Sequence, residues 1–418
     1  MTIAPLLPPS VLGWAIESAP SIDVTPTSIG VVSIVVWAAA LIQLTAISYW
    51  AYEMFLPARR QRYSPPVHDL GEVQARVLTV DGGGVVQASV DALPPEIEEC
   101  HVISEEPIAV AGATVHVVPD AFECAATRKG RALEWARREI PCEREYVLFL
   151  DEDTITADLD GIPDGDVVQF RERPTRSRSL LAYLAEIYRM GFQTEQLAFS
   201  RLAIPLYAWG GGLAVRKELE DRITWDRETL IEDTSFVWNA MRREAVDFEV
   251  SETKFDTQAP PSIRAMIDQR SRWLAGSQDQ SGLLSSAYRA ICTLRNVAWA
   301  MSALVPILVL VPFLIPGTGT FGPAFRALSL VLFGPTVLWS VLGVTYYDES
   351  LRVGVLLVLL APLVSVLHSA GAFVGFTHPP QDFDVTTKVK PDLIDGLGSD
   401  TNTSTDTDTD AEAEIEAD

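Results

Sequence analysis

Hydrophobic and polar positions form two kinds of segment in the middle of the chain, from about residue 72 to 275. Short apolar runs alternate there with segments of helical periodicity, and this pattern predicts an α/β domain built on a parallel sheet. The expected strands are 76–81, 101–104, 114–118, 147–153, 167–170 and a strand entered through a triple-glycine loop within 207–215. The expected helices are 86–92, 127–138, 179–206 and a helix around 268–273.

Long apolar runs lie on both sides of this domain. Residues 28–52 carry no charge, and three further apolar runs follow the domain at 297–315, 327–346 and 353–376. Each run is long enough to cross a bilayer as a helix. The pattern therefore predicts a membrane protein whose α/β domain is inserted between the first apolar run and the other three.

The two ends of the chain are expected to contribute little to the fold. Residues 1–27 are apolar and rich in proline but lack the basic start of a cleavable signal peptide. Residues 391–418 alternate Thr with Asp and then Ala with Glu. Such an acidic, low-complexity tail is expected to be disordered.

The basic residues next to the apolar runs predict the orientation in the membrane. Arg59, Arg60 and Arg62 follow the first run, so the positive-inside rule places the α/β domain in the cytoplasm, on an integral protein of the cell membrane. Four crossings would then leave the tail outside, whereas Lys388 and Lys390 favour the inside. One of the four runs could instead be a hairpin or an interfacial helix, and the sequence leaves this open.

Composition narrows the class of protein further. Hydrophobic residues make up 48% and charged residues 21% of the chain, which excludes a disordered protein. The net charge of −24 argues against nucleic acid as a partner and is typical of proteins from a cytoplasm of high salt. The widely spaced cysteines suggest neither a disulfide framework nor a zinc site, and we expect reduced thiols. They are Cys100, Cys124, Cys142 and Cys292.

The first candidate for chemistry is the end of the strand at 147–153. Four apolar residues are followed there by Asp151 and Asp153, one residue apart. Ligands of open α/β sheets bind at the carboxyl ends of the strands, and Mg²⁺ or Mn²⁺ binds such carboxylates together with substrate phosphates. The two acids could therefore hold a metal ion, or they could belong to a solvated loop.

A second candidate is the start of the helix at 127–138, which carries Lys129 and Arg131. Cations at a helix N-terminus oppose the macrodipole unless an anion also lies there, and helix N-termini bind anions. These two residues could therefore bind a phosphate, or they could form a solvated basic turn.

Two further motifs precede the second half of the chain. Glu232 and Asp233 come before an apolar helical face, where an acid can serve as a general base or can act as an N-terminal helix cap. Trp209 precedes three glycines, which allow the backbone to approach a flat ligand closely but are equally compatible with a tight turn.

The last motif lies just before the apolar runs resume. Gln269, Arg272 and Trp273 are spaced so that they share one face of a helix. This spacing brings together an amide, a guanidinium and an indole next to the membrane.

Three of these motifs in this order resemble the membrane-integrated glycosyltransferases of family 2, the group that contains cellulose, hyaluronan and chitin synthases and the egghead-type β-1,4-mannosyltransferases. The resemblance covers about residues 72 to 390. The egghead-type branch is nearest, judged also from 127–133 and from the closing 383–388. The carrying motifs are Leu150-Asp151-Glu152-Asp153-Thr154, Ile231-Glu232-Asp233 and Gln269-Arg270-Ser271-Arg272-Trp273.

The resemblance implies a GT-A type, Rossmann-like domain that uses Mg²⁺ or Mn²⁺ and transfers a sugar from a UDP- or GDP-linked donor with inversion. The acceptor would be lipid-linked or a growing polysaccharide, held at the membrane lipid. By resemblance, Asp151 contacts the nucleotide and Asp153 binds the metal, while Asp233, beside Glu232, is the base. The other implied contacts are Asp81, Glu105 or Glu106, Lys129 and Arg131 to the donor, and Trp209, Gln269, Arg272 and Trp273 to the acceptor or diphosphate.

Two other classes of function are disfavoured. A transporter or channel would need charged residues inside the membrane, and the four predicted apolar runs contain no Asp, Glu, Lys or Arg. A catalytically inactive scaffold would not need Asp151, Asp153 and Asp233 together with the motif that ends at Trp273.

Overall fold

The computed structural model describes residues 26–58, 64–80, 82–156, 158–314, 322–380 and 388–389. Several predicted features lie outside these ranges. They are most of 1–27, the arginines at 59, 60 and 62, Asp81, most of the motif at 383–388, Lys390 and the tail at 391–418.

The described part of the chain begins with helix α1 and continues into an α/β region. Its elements, in chain order, are α1 (Pro26–Phe55), β1 (Pro66–His68), β2 (Val73–Thr79), α2 (Gly83–Asp91), β3 (Glu99–Ser104), β4 (Thr114–Val117), α3 (Arg128–Glu139), β5 (Tyr146–Asp151), β6 (Ile162–Pro163), β7 (Val167–Thr175), α4 (Leu180–Phe192), β8 (Leu213–Arg216), α5 (Lys217–Ile223), α6 (Glu232–Arg243), β9 (Phe248–Gln258) and α7 (Ile263–Gln280). The helices that follow are α8 (Ser286–Met301), α9 (Val305–Leu314), α10 (Pro323–Tyr347) and α11 (Leu351–Thr377).

Seven strands form one mixed sheet, in the order β4-β3-β2-β5-β8-β7-β9. Strand β2 pairs parallel to β3 and β5, whereas β8 is antiparallel to both β5 and β7. The prediction of a parallel sheet is therefore wrong for β8. Its first residue, Leu213, lies opposite Phe149 near the carboxyl end of β5. The preceding glycine loop therefore brings the chain into the sheet at the carboxyl end of β5, and β8 runs in the direction opposite to β5.

Strand β5 lies in the middle of the sheet and supplies the core on both of its faces. Val147 and Phe149 belong to one cluster of buried side chains, and Tyr146, Leu148 and Leu150 belong to the cluster on the other face. All five side chains are fully buried, which is why this strand reads as a continuous apolar run rather than an alternating one.

Two parts of the secondary structure differ from the prediction. The expected helix over 179–206 ends at Phe192 and continues as a 3-10 helix, because the Thr194 hydroxyl donates to the carbonyls of Met190 and Gly191 and competes with regular helical bonding. Strand β9 was not predicted. It is rich in polar residues and is the edge strand of the sheet, where it pairs with β7 and makes one isolated bridge from Asp256 to Ile155, so it lacks the apolar run that indicated the other strands.

Four helical stretches are long and apolar enough to cross a membrane, among the residues that the structure describes. They are Ser33–Phe55, Ser286–Leu310, Pro323–Tyr347 and Leu351–Thr377. All four extend beyond the predicted runs and take in charged residues at their ends, and the first two include Glu53 and Arg295. That the embedded parts are uncharged stays a prediction. The Arg295 guanidinium bonds the Glu195 carboxylate at 2.8 Å and lies 3.5 Å from Glu53, which leaves these charges paired inside the bundle.

Close backbone contacts fix α4 and α7 against the last two helices. A Cβ atom at Gly343 of α10 would lie 2.0 Å from the Ile187 carbonyl oxygen of α4. A Cβ atom at Gly375 of α11 would likewise lie 2.3 Å from the Ser271 carbonyl oxygen of α7. Gly343 thus sets the distance between α10 and α4, and Gly375 sets the distance between α11 and α7, the helix that carries Gln269, Arg272 and Trp273.

The chain beyond α11 returns to the edge of the sheet. The Lys388 ammonium donates to a carboxylate oxygen of Asp153 at 2.7 Å, and Val389 and Gln258 exchange two hydrogen bonds of 2.7 and 2.8 Å. Residues 388–389 therefore lie beside the α/β domain. This position indicates on which side of the membrane the C-terminal tail lies, a question that the sequence left open.

We therefore expect the C-terminal tail and the α/β domain to lie on the same side of the membrane. By the positive-inside rule this side is the cytoplasm. Protease added to sealed cells should leave both a tag after Asp418 and a tag within 72–275 uncut. Cleavage of the C-terminal tag alone would contradict the prediction, and lysed cells provide the control in which both tags are cut.

Candidate active site

Four predicted site residues from three elements meet at the carboxyl end of β5. Asp151 ends β5, Lys129 lies in the first turn of α3, and Glu232 and Asp233 form the first turn of α6. The Lys129 ammonium lies 2.8 Å from an Asp151 oxygen, 3.5 Å from an Asp233 oxygen and 3.6 Å from a Glu232 oxygen. One lysine thus holds three carboxylates together.

The pKa of Asp233 makes it the carboxyl group that can exchange a proton near neutral pH. Burial raises the pKa of Asp233 to about 7; Lys129 opposes this shift, while Glu232 and Asp151 add to it. Burial also disfavours a charged Asp151, but Lys129 and Lys388 outweigh it and lower the pKa of that carboxyl. Asp151 is therefore ionised at neutral pH. The other oxygen of Asp233, Oδ1, is buried and has no hydrogen-bond partner among the residues described.

The triple-glycine loop lies directly against these acids. A Cβ atom at Gly210 would lie 2.1 Å from the Asp233 carboxylate, and a Cβ atom at Gly211 would lie 3.0 Å from an Asp151 oxygen and 2.5 Å from the Trp209 ring. Any side chain at these two positions would displace the acids or the indole. The sequence suggested that these glycines allow the backbone to approach a flat ligand closely. In the structure the backbone of the loop closely approaches Asp151 and Asp233 themselves.

The start of α3 is strained next to the acids. Arg128 has a positive φ of 54°, a conformation that is unfavourable for a residue with a Cβ atom. Backbone strain of this kind persists where the surrounding structure enforces it and is concentrated at functional sites. Here it turns the chain so that Lys129 faces Asp151.

Arg131 does not join this group. Its guanidinium bonds Glu105 at 2.9 Å and the carbonyl oxygen of Phe122 at 3.2 Å. Arg131 and Glu105 therefore pair with each other on the lining of the cavity, and Asp81 lies outside the described residues.

Asp153 lies beyond the end of β5 and is almost fully buried. Its Oδ2 accepts hydrogen bonds from the Gln258 amide at 2.8 Å and from Lys388 at 2.7 Å. Its Oδ1 is buried and makes no hydrogen bond within the described part of the chain. A buried carboxylate oxygen without a partner is the kind of ligand that Mg²⁺ and Mn²⁺ take, so the donor set at Asp153 and Asp151 fits a divalent cation.

Lys388 is a residue of this site to which the sequence analysis gave no role. It is one of five lysines in the chain, but it follows 235 residues after its partner Asp153, and no local pattern connects the two. Two observations on the sequence included Lys388: with Lys390 it indicated the side of the membrane, and it closes the segment 383–388 that contributes to the resemblance.

The three predicted residues of α7 line the same cavity as the acids. Burial lowers the pKa of Arg272, against the attraction of Glu232, Asp151 and Asp233. The Trp273 ring packs under the Arg189 guanidinium, 5.4 Å from the ring centroid. The Gln269 side-chain oxygen is buried without a hydrogen-bond partner in the ranges the structure covers.

A single cavity of about 1340 Å³ connects the acids with the apolar helices. Its lining includes Gly82 and Glu105, the acids Asp151 and Asp233, and Trp299 with other side chains of the helical bundle. The cavity therefore reaches from the acids to helices that are long and apolar enough to span a membrane.

Comparisons with known proteins found one family and several solved structures that are similar to this chain. Residues 146–346 match the family described as "Glycosyl transferase family group 2". No curated protein matches the chain significantly.

Similar solved structures include a mannosyltransferase, PcManGT from Pyrobaculum calidifontis, in complex with GDP-Man and Mn²⁺. It is 12% identical with a TM-score of 0.48, and the alignment covers 81% of this chain and 98% of that one. Another is glucosyl-3-phosphoglycerate synthase from Mycobacterium tuberculosis with Mn²⁺ and UDP-glucose, 14% identical with a TM-score of 0.34, covering 54% of this chain and 87% of that one.

The predicted fold class is confirmed as a mixed α/β sheet of GT-A-like architecture accompanied by four helices able to span a membrane. The part of the chain that is similar to this glycosyltransferase family runs from β5 into α10.

Proposed function

We propose that the protein is an inverting, metal-dependent glycosyltransferase. It takes a sugar from a UDP- or GDP-linked donor and transfers it to a lipid-linked or glycan acceptor at the cytoplasmic face of the cell membrane. The observation that carries the proposal is the continuous cavity, because it joins a cluster of acids suited to a metal and a diphosphate with a bundle suited to a membrane-bound acceptor.

The charges of the site suit a nucleotide diphosphate. Asp153 and Asp151 would hold Mg²⁺ or Mn²⁺, which supplies positive charge to the diphosphate leaving group. Lys388 and Lys129 lie beside these acids and add fixed positive charge at the same place. Arg272 of α7 lines the same cavity, and its guanidinium is attracted by Glu232, Asp151 and Asp233.

Asp233 is the group that accepts the proton in this proposal. The acceptor oxygen forms a bond to the anomeric carbon, the bond from that carbon to the phosphate oxygen breaks, and the nucleoside diphosphate leaves with the electron pair. The hydroxyl proton moves to Asp233, whose pKa of about 7 suits a general base near neutral pH. Attack opposite the leaving group inverts the anomeric carbon.

The remaining roles concern the acceptor. The Trp273 indole, fixed under Arg189, offers a flat apolar face on which a sugar ring can stack. Gln269, with its unpartnered oxygen among the described residues, can accept a hydrogen bond from a sugar hydroxyl. Trp209, whose backbone amide donates to Gln169 at 2.8 Å, is a second stacking surface.

The test is a panel of UDP- and GDP-sugars offered to the purified protein in detergent, with analysis of the products. We expect consumption of at least one nucleotide sugar in the presence of Mg²⁺ or Mn²⁺, with release of the nucleoside diphosphate. Failure to consume any member of the panel, by protein shown to bind a nucleoside diphosphate, would instead support a catalytically inactive scaffold.

Turnover is expected to rise as the pH rises through about 7. Below that value Asp233 is protonated and cannot accept the acceptor proton, whereas above it the carboxylate is free to do so. Initial rates measured from pH 5 to 9 at saturating donor provide the measurement. A rate that is flat or falls across neutral pH would contradict the assignment of Asp233 as the base.

A further inference from the structure

Two buried acids share one arginine at the point where α1, the 3-10 helix Gln193–Arg201 and α8 meet. They are Glu53 and Glu195, and both side chains are fully buried. The Arg295 guanidinium donates to both oxygens of Glu195, one of these bonds being 2.8 Å long, and lies 3.5 Å from an oxygen of Glu53. We call Glu53, Glu195 and Arg295 the buried triad.

The buried triad has an excess of negative charge. With both acids ionised, its one guanidinium faces two carboxylates, so the charges sum to −1. Arg189 is the other guanidinium near this group, but it is already bonded to Glu172 and Glu186. A charge that is buried without compensation is strongly destabilising, and an ionisable residue inside a membrane bundle indicates a functional site.

Two side chains at this place carry buried oxygens that lack a partner. Both carboxylate oxygens of Glu53 accept no hydrogen bond from the residues that the structure describes. The Tyr207 hydroxyl oxygen is unpartnered in the same ranges, and its ring is held edge to face against Phe199 with centroids 4.9 Å apart. Burial and the charges of Glu195 and Glu53 raise the pKa of Tyr207, against the effect of Arg295. This phenol therefore lies in the field of the buried triad and stays a neutral hydroxyl.

These three oxygens indicate a small cation as the missing partner. Buried polar atoms in folded proteins almost always have a partner, which can be an ion or a water molecule. A cation attracted by the net charge of −1 can take all three oxygens as ligands, and carboxylate and hydroxyl oxygens favour a hard cation. A proton on Glu53 would also cancel the charge, but it would bind one oxygen and leave the other two as they are.

The net charge selects a monovalent cation. A divalent ion would replace the charge of −1 by one of +1, next to the Arg295 guanidinium, which repels it. Coordination of a transition metal is not supported either. Cys292 lies close by, but the described residues place no three His, Cys, Asp or Glu ligand atoms within 4.8 Å of one another here.

The cavity gives an ion access to this place. Glu195, Tyr207 and Arg295 belong to the lining, so a hydrated ion can enter from the cavity. Water that accompanies the ion can complete its coordination shell. None of these residues belongs to the metal site proposed at Asp151 and Asp153.

We infer that Glu53, Glu195 and Tyr207 form a binding site for an alkali metal ion, Na⁺ or K⁺, beside the Arg295 guanidinium. The bound ion brings the charge of the site to zero. It connects α1, which precedes the α/β domain, to the chain around the 3-10 helix and, through Arg295, to α8. The ion thereby stabilises the attachment of the first apolar helix to the rest of the fold, whatever reaction the protein catalyses.

The experiment measures thermal unfolding of the purified full-length protein in detergent, followed by tryptophan fluorescence. NaCl or KCl replaces N-methylglucamine chloride stepwise at constant chloride concentration, so that the ionic strength does not change. Glu53→Gln removes one negative charge and keeps the size of the side chain, whereas Tyr207→Phe removes only the hydroxyl. The control is Glu218→Gln, the same chemical change at a side chain of α5 that is 93% exposed.

We expect the unfolding temperature of the wild type and of the control to rise saturably with Na⁺ or K⁺, by at least about 2 °C, because an ion that binds only the folded state stabilises it. The ion that acts at the lower concentration is the preferred one. Glu53→Gln should lose the dependence, because its triad is neutral without an ion. Tyr207→Phe should keep it but require about ten times more ion, since one ligand is lost while the charge remains.

Equal unfolding temperatures of the wild type in all three salts would overturn the inference and assign a proton to Glu53. An undiminished ion dependence of Glu53→Gln would overturn it as well, because the ion would then bind elsewhere. If Glu53→Gln does not fold, Tyr207→Phe decides between the outcomes. An ion titration identical to that of the wild type would contradict the site, and a shift to higher concentration would support it.

Discussion

Replacing Asp233 by Asn is expected to lower turnover by about 10² to 10⁴, the usual contribution of a positioned general base. The amide keeps the size of the side chain, so the glycine loop that lies against it, with Gly210 in closest approach, is not displaced. The amide cannot accept the acceptor proton. Donor affinity should survive, because Asp151, Asp153 and Lys388 are unchanged.

The measurement pairs initial rates with nucleotide-sugar affinity from calorimetry. Asp268→Asn is a suitable control, because Asp268 lies on α7 with 70% of its side chain exposed and makes the same chemical change away from the cavity. The residual activity of Asp233→Asn should also lose the rise through about pH 7. Near-normal turnover, or an equal loss of donor affinity, would assign the base to another carboxylate.

The parts of the site that depend on local sequence could be predicted. Asp151 follows an apolar run that is buried because it lies in the centre of the sheet, and an apolar run is visible in the sequence. Gln269, Arg272 and Trp273 share a face because helix geometry alone sets their spacing. Glu232 and Asp233 open a helix, as their acidic pair before an apolar face indicated.

The parts that depend on distant contacts could not be predicted. The pairing of Lys388 with Asp153 joins residues 235 positions apart, and nothing in either neighbourhood encodes it. The reversed direction of β8 follows from where the chain enters the sheet, not from the residues of the strand.

The positive charge of Arg131 suggested a contact to a phosphate. In the fold its guanidinium instead forms an ion pair with the nearby carboxylate of Glu105, and the sequence around Arg131 does not show that this acid is close.

The second large effect is expected at Asp153. Asp153→Asn should reduce the divalent-dependent part of nucleoside diphosphate binding by at least about 100-fold, since loss of even an outer-shell partner costs metal sites up to about that much. The asparagine oxygen can still accept from the Gln258 amide, so the local fold is kept. The charge that attracts a divalent cation is lost.

A complication is that Asp153 also holds Lys388, and an unpaired lysine could itself change nucleotide binding. The matched variant is therefore Lys388→Met, which removes the ammonium and leaves the carboxylate. Calorimetric titration of nucleoside diphosphate with Mn²⁺ and with EDTA, for both variants and the wild type, separates the two roles.

Lys388→Met should bind more weakly but remain strongly dependent on Mn²⁺, because Asp153 is intact. Asp153→Asn should bind almost equally with Mn²⁺ and with EDTA. If Asp153→Asn keeps the wild-type dependence on Mn²⁺, Asp153 is not a metal ligand, and its function is to hold the Lys388 ammonium beside the diphosphate.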